Sequence, residues 1–484
     1  MKKLIKKSEP ILGLGESIIV LAVILGILGF LIIGQHQEPQ APLLIAFVVL
    51  MVYGRLRGFT WDTIIDGMRT GFLMVYGRLR GFTWDTIIDG MRTGLRAGVD
   101  PLVIFLTIGV LIATWIFSGT IPTVMFWGFK IISIQFFLPT VFLVCTLVGI
   151  ACGSSFTSVS TMGIAFIGIG TTLHFSPGLT AGAIVSGAFC GSNISPLSGT
   201  TNLAASTGEI DIYTHIKSLL WTDLPAWFIS LIFFTLMGLH PKPASLHAIN
   251  VMLDQLQNNF WISPWTMLPV ILLIILAIFK VPAIPSLGLG ALSAVILGWI
   301  HNPNISINSI TELIMNGFVA HTPNKNINLL LSKGGISSML TSLALIIFAL
   351  ALGGLLIKFN IIGVIITKIE ESVKGIVGLT ISAALTCIGV NLLVGEHYLA
   401  IILPGESFKE AFDHHNLPRT ALTRVLNDAG AAINAVVPWS VSGVFVAGTL
   451  QVNPLDFIPF AIFPFLVTVL CILAGFVNVI KKKA

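Results

Sequence analysis

Residues 337–357 read S-S-M-L-T-S-L-A-L-I-I-F-A-L-A-L-G-G-L-L-I, without one charged side chain. A helix of about 20 apolar residues spans about 30 Å, the thickness of a bilayer's hydrocarbon core. Similar runs recur at 15–34, 101–120, 131–151, 219–239, 262–280, 283–300, 376–394 and 457–480, with a shorter one at 41–53. Only 10% of the 484 residues are charged and 55% are hydrophobic. A typical soluble domain carries about 25% charge, and so little cannot cover a water-facing surface. The expected fold is therefore an all-α polytopic membrane protein with about 12 membrane elements. A secreted disulfide scaffold, a nucleic-acid binder and a cytosolic enzyme are excluded. The five cysteines are odd in number, lie in or beside apolar runs and form no C-x-x-C pair. They read as small buried hydrophobes.

The basic residues mark span ends. Lys2, Lys3, Lys6 and Lys7 precede the first apolar run, and Lys481, Lys482 and Lys483 follow the last. Both termini are thus expected in the cytoplasm, in a multi-pass protein of a bacterial plasma membrane. The first run is long and no A-x-A site follows it, so it reads as an uncleaved helix. Residues 50–71 are repeated letter for letter at 73–94. In each copy Trp61, Ile64, Ile65 and Met68, or Trp84, Ile87, Ile88 and Met91, have the spacing of an amphipathic helix. Such a helix is expected to lie along the cytoplasmic interface.

A second, diverged repeat carries more information. Asp85–Met91 reads D-T-I-I-D-G-M and Glu312–Phe318 reads E-L-I-M-N-G-F. Each precedes long apolar spans and then an apolar region broken by Gly, Pro, Ser, Thr and Asn, at 152–205 and 395–450. The pattern suggests two inverted-topology repeats with re-entrant hairpins or broken helices, as in ion-coupled transporters. The expected segments are membrane helices over 1–50, the duplicated amphipathic segment over 51–94, a first repeat over 95–239, a linker over 240–261, a second repeat over 262–480 and a basic tail over 481–484.

Four polar clusters interrupt the apolar regions. The first holds Ser154, Ser155, Thr157 and Ser158. The second, G-S-N-I-S-P-L-S-G-T-T-N, holds Asn193, Ser195, Ser198, Thr200, Thr201 and Asn202. The third, G-V-N-L-L-V-G-E-H, holds Asn391 and Glu396. The fourth holds Asn427, Asp428 and Asn434, followed by Pro438 and Ser440. Opened helix ends expose carbonyls for a cation and N–H groups for an anion. Hydroxyls, amides and carboxylates supply the oxygens that hard cations prefer. The competing reading is hydrogen-bonded helix–helix glue. Asp428, an acid in an apolar region, is the leading Na+ or proton ligand, against a salt bridge to Arg424 four residues earlier. Glu396 is a candidate proton carrier, against a solvated loop tip. His397 reads as structural. Glu209, Asp211 and Asp223 are expected at the membrane surface, and Lys409 to His415 in an aqueous loop. There is no Walker loop, H-E-x-x-H or nucleophile elbow. No cofactor is implied. Na+ and H+ are the transported or coupling ions, and lipid and a small ion or organic solute are the partners.

Several stretches resemble the NhaC-type Na+/H+ antiporters. They are W-I-F-S-G-T-I-P-T (Trp115–Thr123), F-F-L-P-T (Phe136–Thr140), S-P-L-S-G-T-T-N-L-A (Ser195–Ala204), L-L-S-K-G-G-I-S-S-M (Leu330–Met339), N-L-L-V-G-E-H-Y-L (Asn391–Leu399) and R-V-L-N-D-A-G (Arg424–Gly430) with V-V-P-W-S-V-S-G-V-F (Val436–Phe445). The resemblance runs collinearly over about residues 80–480. It implies a secondary transporter exchanging Na+ for H+, with a scaffold domain, a mobile domain carrying re-entrant hairpins, an elevator-like movement and a homodimer. The same family includes a malate/lactate exchanger. The family's G-D-K-x-S-P-L-S-D becomes Ser192, Asn193 and Gly199 at its two aspartates and lysine. Its R-x-L-E-D becomes Asn427 at the glutamate. A site so poor in acids suits the alternative reading, ion-coupled transport of a small organic anion or amino acid on the same scaffold.

Overall fold

The computed structural model describes residues 13–35, 37, 39–59, 102–131, 134–239, 246–279, 281–372 and 376–483. Among them every regular element is helical. Six helices are long and apolar enough to cross a membrane: Leu14–Gly34, Ile134–Cys152, Ile212–Gly238, Ile284–His301, Ile336–Ile357 and Val377–Val394. Four further pairs bend sharply at a short break, which raises the number to as many as 10. The duplicated segment lies outside the described residues from position 60 onward, as does Asp85–Met91 of the diverged repeat. The expected linker is in part an amphipathic helix, Leu246–Asn259, with Met252 and Leu256 buried. It pairs with Pro264–Leu276 at a 91° bend. The stretch from Lys409 to His414, read as an aqueous loop, is the C-terminal end of the His397–His414 helix, with Glu410, Asp413 and His414 exposed and Phe412 buried. His415, exposed, is its C-cap.

One helix sits at the centre. Pro177–Asn193 reads P-G-L-T-A-G-A-I-V-S-G-A-F-C-G-S-N, and nearly all of its residues are buried. Its slimness explains this. Small residues let helix backbones approach closely in lipid, where dispersion and hydrogen bonds replace the hydrophobic drive between helices. A Cβ on Gly187 would collide with the Phe142 carbonyl, and one on Gly191 with the Thr146 carbonyl. A Cβ on Gly149 would lie 2.8 Å from the Ala188 carbonyl. The Phe137–Cys152 helix therefore lies directly against it. Ser176 caps the N-terminus through the Leu179 N–H at 3.1 Å, and Pro177 at the first position has no N–H to satisfy. At the far end the helix delivers Asn193 into the interior.

The broken regions have identifiable causes. Phe137–Cys152 stops at Gly153, whose φ of 63° is the left-handed conformation that glycine adopts without penalty. The chain restarts at Ser154, whose hydroxyl accepts from the Thr157 N–H. It then passes through a π-helical stretch at Val159–Gly163. A second π-helical stretch, Leu426–Ala431, follows Arg419–Val425 and runs into a 3₁₀ turn over Ala432–Val436. Such widened turns misalign the backbone ladder and recur at functional sites. After Pro438 the chain resumes at Val441, whose N–H reaches the Gly395 carbonyl at 2.8 Å. The breaks at 395 and 437–440 therefore abut.

Candidate functional site

Asn193, Asp223 and Asp428 meet in the interior. The Asn193 side-chain nitrogen donates to Asp223 Oδ1 at 3.2 Å and to Asp428 Oδ1 at 3.2 Å. The Thr222 hydroxyl donates to Asp428 Oδ2 at 2.8 Å. The Thr468 hydroxyl holds the Asp428 backbone carbonyl at 3.0 Å. Both carboxylates are buried, Asp223 at 1% and Asp428 at 0% exposure. Four elements are tied here: the end of the central helix, the middle of Ile212–Gly238, the π-helical stretch and, through Thr468, the Ile462–Lys483 helix. Two acids around one neutral amide, away from water, call for positive charge; the field of the buried Arg424 guanidinium reaches both without an ion pair, and a proton on one or a cation between them would add to it. Next to Asp428, Asn427 is wholly buried and neither polar atom of its amide has a partner.

This arrangement corrects the surface placement of Asp223. The helix starts at Ile212, not 219, so Asp223 sits about 16 Å along it at 1.5 Å per residue. Glu209 and Asp211 are at the exposed end, as expected. Among the described residues no ion pair joins Arg424 to Asp428; the carboxylate bonds to Asn193 and Thr222 instead. Glu396 is no solvated tip. It is 0% exposed and caps the His397–His414 helix, with Oε2 accepting from the Leu399 N–H at 2.9 Å. Its other oxygen has no hydrogen-bond partner and lies 3.6 Å from His397 Nδ1.

A second knot is amide-built. Asn391 donates to the Gly430 carbonyl at 2.7 Å and to the Cys387 carbonyl at 3.2 Å. Asn434 donates to Asn391 Oδ1 at 2.7 Å and accepts from the Ser442 N–H at 3.0 Å. Ser440 donates to the Asn434 carbonyl and caps the next helix through the Gly443 N–H. Through these donations the three side chains brace the break, two of them to carbonyls in or just after the π-helical stretch. Ser158 and Ser195 are likewise braces, donating to the Cys145 and Ile150 carbonyls. Thr201 bonds to the Asn193 carbonyl at 3.0 Å and so fixes the end of the central helix.

The first two clusters come together around a cavity of about 580 Å³. Ser154, Ser155, Thr157, Asn193, Ser198, Thr200 and Asn202 line it, with His397 and Tyr398 opposite. Asn193 thus faces the cavity and also grips both acids. Ser158, Ser195, Thr201, Asn391, Glu396, Asn427, Asp428, Asn434 and Ser440 are not in its wall. Thr222 and Asp223 are missing from the sequence-derived set; the available signal was an acid inside an apolar run. At the surface, Glu209 binds Arg419 and Lys409, and Arg419 also binds Asp413. Hydrogen bonds from Arg419 hold the Glu209 and Asp413 carboxyls below their ordinary range.

Residues 193–479 match the Na+/H+ antiporter family. The chain is 35% identical to the Na+/H+ antiporter NhaC of Alkalihalophilus pseudofirmus, over 96% of each chain. It is 35% identical to NhaC of Bacillus subtilis, over 98% of this chain and 99% of the other. It is 31% identical to the malate-2H+/Na+-lactate antiporter of Bacillus subtilis, over 95% and 94%.

Proposed function

The chain belongs to the Na+/H+ antiporter family, and we propose that it exchanges Na+ for H+ as an NhaC-type secondary antiporter whose coupling centre is Asp428 with Asp223. The observation that carries the assignment of the centre is the single Asn193 amide bonded to both buried carboxylates. In this reading the pair holds either a proton or Na+, and each displaces the other because both answer the same need for positive charge. The Thr222 hydroxyl adds a third oxygen-bearing group beside the two carboxylates, of the kind a hard cation prefers. Asn427 and Asn193 stand where the family pattern has charged residues, so the exchange site here is reduced to two acids. Glu396, buried behind the cavity-lining His397, is the candidate for passing protons between cavity and interior.

The wider architecture supports an alternating-access transporter. Each half of the chain holds a π-helical stretch and a helix restart capped by a serine, Ser154 in one and Ser440 in the other. We read these as two inverted repeats, moving in an elevator-like way within a homodimer in the bacterial plasma membrane. The lysines at both ends favour cytoplasmic termini. The test is flux in proteoliposomes under an imposed pH gradient. Na+ added outside should collapse the gradient reported by a trapped pH dye; no response to Na+ or Li+ would overturn the proposal.

A further inference from the structure

We propose that His215 carries protons between the exposed end of the Ile212–Gly238 helix and the acid pair, by a route separate from the cavity. This rests on Asp223 and Asp428 being the coupling centre. The state of the ring is the first observation. His215 stands one turn inside the helix, its backbone N–H bonded to the Asp211 carbonyl at 2.9 Å, yet its side chain is 0% exposed. Neither Nδ1 nor Nε2 has a hydrogen-bond partner. A neutral imidazole has one donor and one acceptor, and burying both unmet costs stability that a leucine in the same place would not. Packing alone therefore does not account for a histidine here. Neither His215 nor Arg424 lines the cavity.

The row of groups beyond the ring is the second observation. The buried stripe of this helix includes His215, Leu219, Thr222, Asp223 and Ala226, at helical spacing. Two cross-links tie the helix to Arg419–Val425 and the π-helical stretch after it. Ser218 donates to the Thr420 carbonyl at 3.1 Å, and Thr222 donates to Asp428 Oδ2 at 2.8 Å. Arg424 lies between these cross-links in the chain, 9% exposed and with Nε unpartnered. Its charge bears on His215 and on both acids. A row thus leads from the helix end through His215 and Arg424 to Thr222 and the carboxylates. From His215 to Thr222 is about 10 Å along the helix, the length of about three hydrogen-bonded waters.

The charges around the ring suit passage rather than storage. Among the described residues, Arg424 is the charged side chain whose field reaches His215. The Phe137–Cys152, Pro177–Asn193, Gly199–Thr207 and Ile462–Gly475 helices packed against this one bring no charged side chain. Lys217 is exposed, and Glu209, Asp211, Lys409, Asp413 and Arg419 lie toward the surface. A proton on the ring is repelled by the guanidinium and drawn onward by the two acids. In one passage, one ring nitrogen takes a proton from the surface side and the other gives one up toward Thr222. An Asp428 oxygen receives it, and the ring turns to restore its tautomer. With Na+ on the acid pair that oxygen is occupied, so proton transfer stays coupled to exchange.

The test compares two fluxes in proteoliposomes holding the full-length protein. Na+/H+ exchange needs a proton on the acid pair, whereas exchange of labelled for unlabelled Na+ across the same membrane does not. His215→Leu should slow Na+/H+ exchange by about tenfold or more and leave Na+/Na+ exchange within about twofold of wild type. His215→Gln keeps polarity but carries no proton, so it should show the same split, and it decides the matter if the leucine variant does not fold. An equal fall of both fluxes in the folded glutamine variant would make His215 structural and overturn the proposal. Na+/H+ exchange within about twofold of wild type in that variant would also overturn it. Wild type without Na+/H+ exchange would instead overturn the coupling centre, and this route with it.

Discussion

Asp428→Asn should disable Na+ coupling and leave the fold intact. The carboxylate accepts from Asn193 at 3.2 Å and from Thr222 at 2.8 Å. The replacement amide keeps one oxygen acceptor for these donors. Thr222 also reaches the Leu219 carbonyl at 3.0 Å, so its hydroxyl keeps a partner. The structural loss is then one hydrogen bond, about 1 kcal/mol. The electrostatic loss is larger. A unit charge about 4 Å from Na+ contributes about 4 kcal/mol at an effective dielectric constant of about 20. At about 1.4 kcal/mol per decade, that weakens Na+ binding by about 1,000-fold. The assay is Na+-driven dissipation of a pH gradient in proteoliposomes, with Na+ titrated over several decades. Elution on size exclusion controls for folding. Asp223→Asn should behave alike, and the double variant should be little worse than either single, because the acids act as one unit. A folded Asp428→Asn protein with a Na+ KM within about threefold of wild type would refute the reasoning.

Other perturbations read different parts of the molecule. Gly191→Ala forces a methyl against the Thr146 carbonyl; overpacking of about 1–3 kcal/mol should lower Tm, and Na+ affinity should fall with it because Asn193 moves. Glu209→Gln removes the Arg419 and Lys409 contacts. The folded-state pKa of Glu209 is lowered, so its contribution is present above the ordinary carboxylate range and is lost as pH falls through the folded value. The Tm gap between wild type and variant should therefore exist at neutral pH and close in acid; a gap that widens in acid would contradict this. Deleting residues 51–73 joins Leu50 to Met74 and leaves one intact copy of the duplicated stretch. Tyr76 then stands where Tyr53 bonds Glu16, and Phe82 where Phe59 stacks on Phe359. Expression and flux should be preserved, and lost expression would show that the second copy is structural.

Much of this protein was legible in one dimension. Apolar length marks spans because lipid leaves no alternative partner for backbone polar groups, so Ile376–Val394 coincides with the expected 376–394. The broken regions were legible for the same reason: Gly153, Pro438 and the hydroxyl clusters cannot continue an uninterrupted apolar helix. Family membership was legible from short motifs. The roles of individual polar residues were not. Ser158, Ser195, Asn391 and Ser440 look in sequence like ligands, and in the structure each also donates to a neighbouring backbone carbonyl. Whether a hydroxyl is glue or ligand depends on what lies within about 3 Å of it, which no spacing rule records. Asp223 makes the same point from the other side. Sequence alone determined that an acid lies in an apolar run. Only the tertiary structure put it, with Asp428 from 205 positions later, on one amide of Asn193. Elements far apart in the chain had to pack together before those charges could share a site, because the distance between carboxylates is a property of packing and not of the chain.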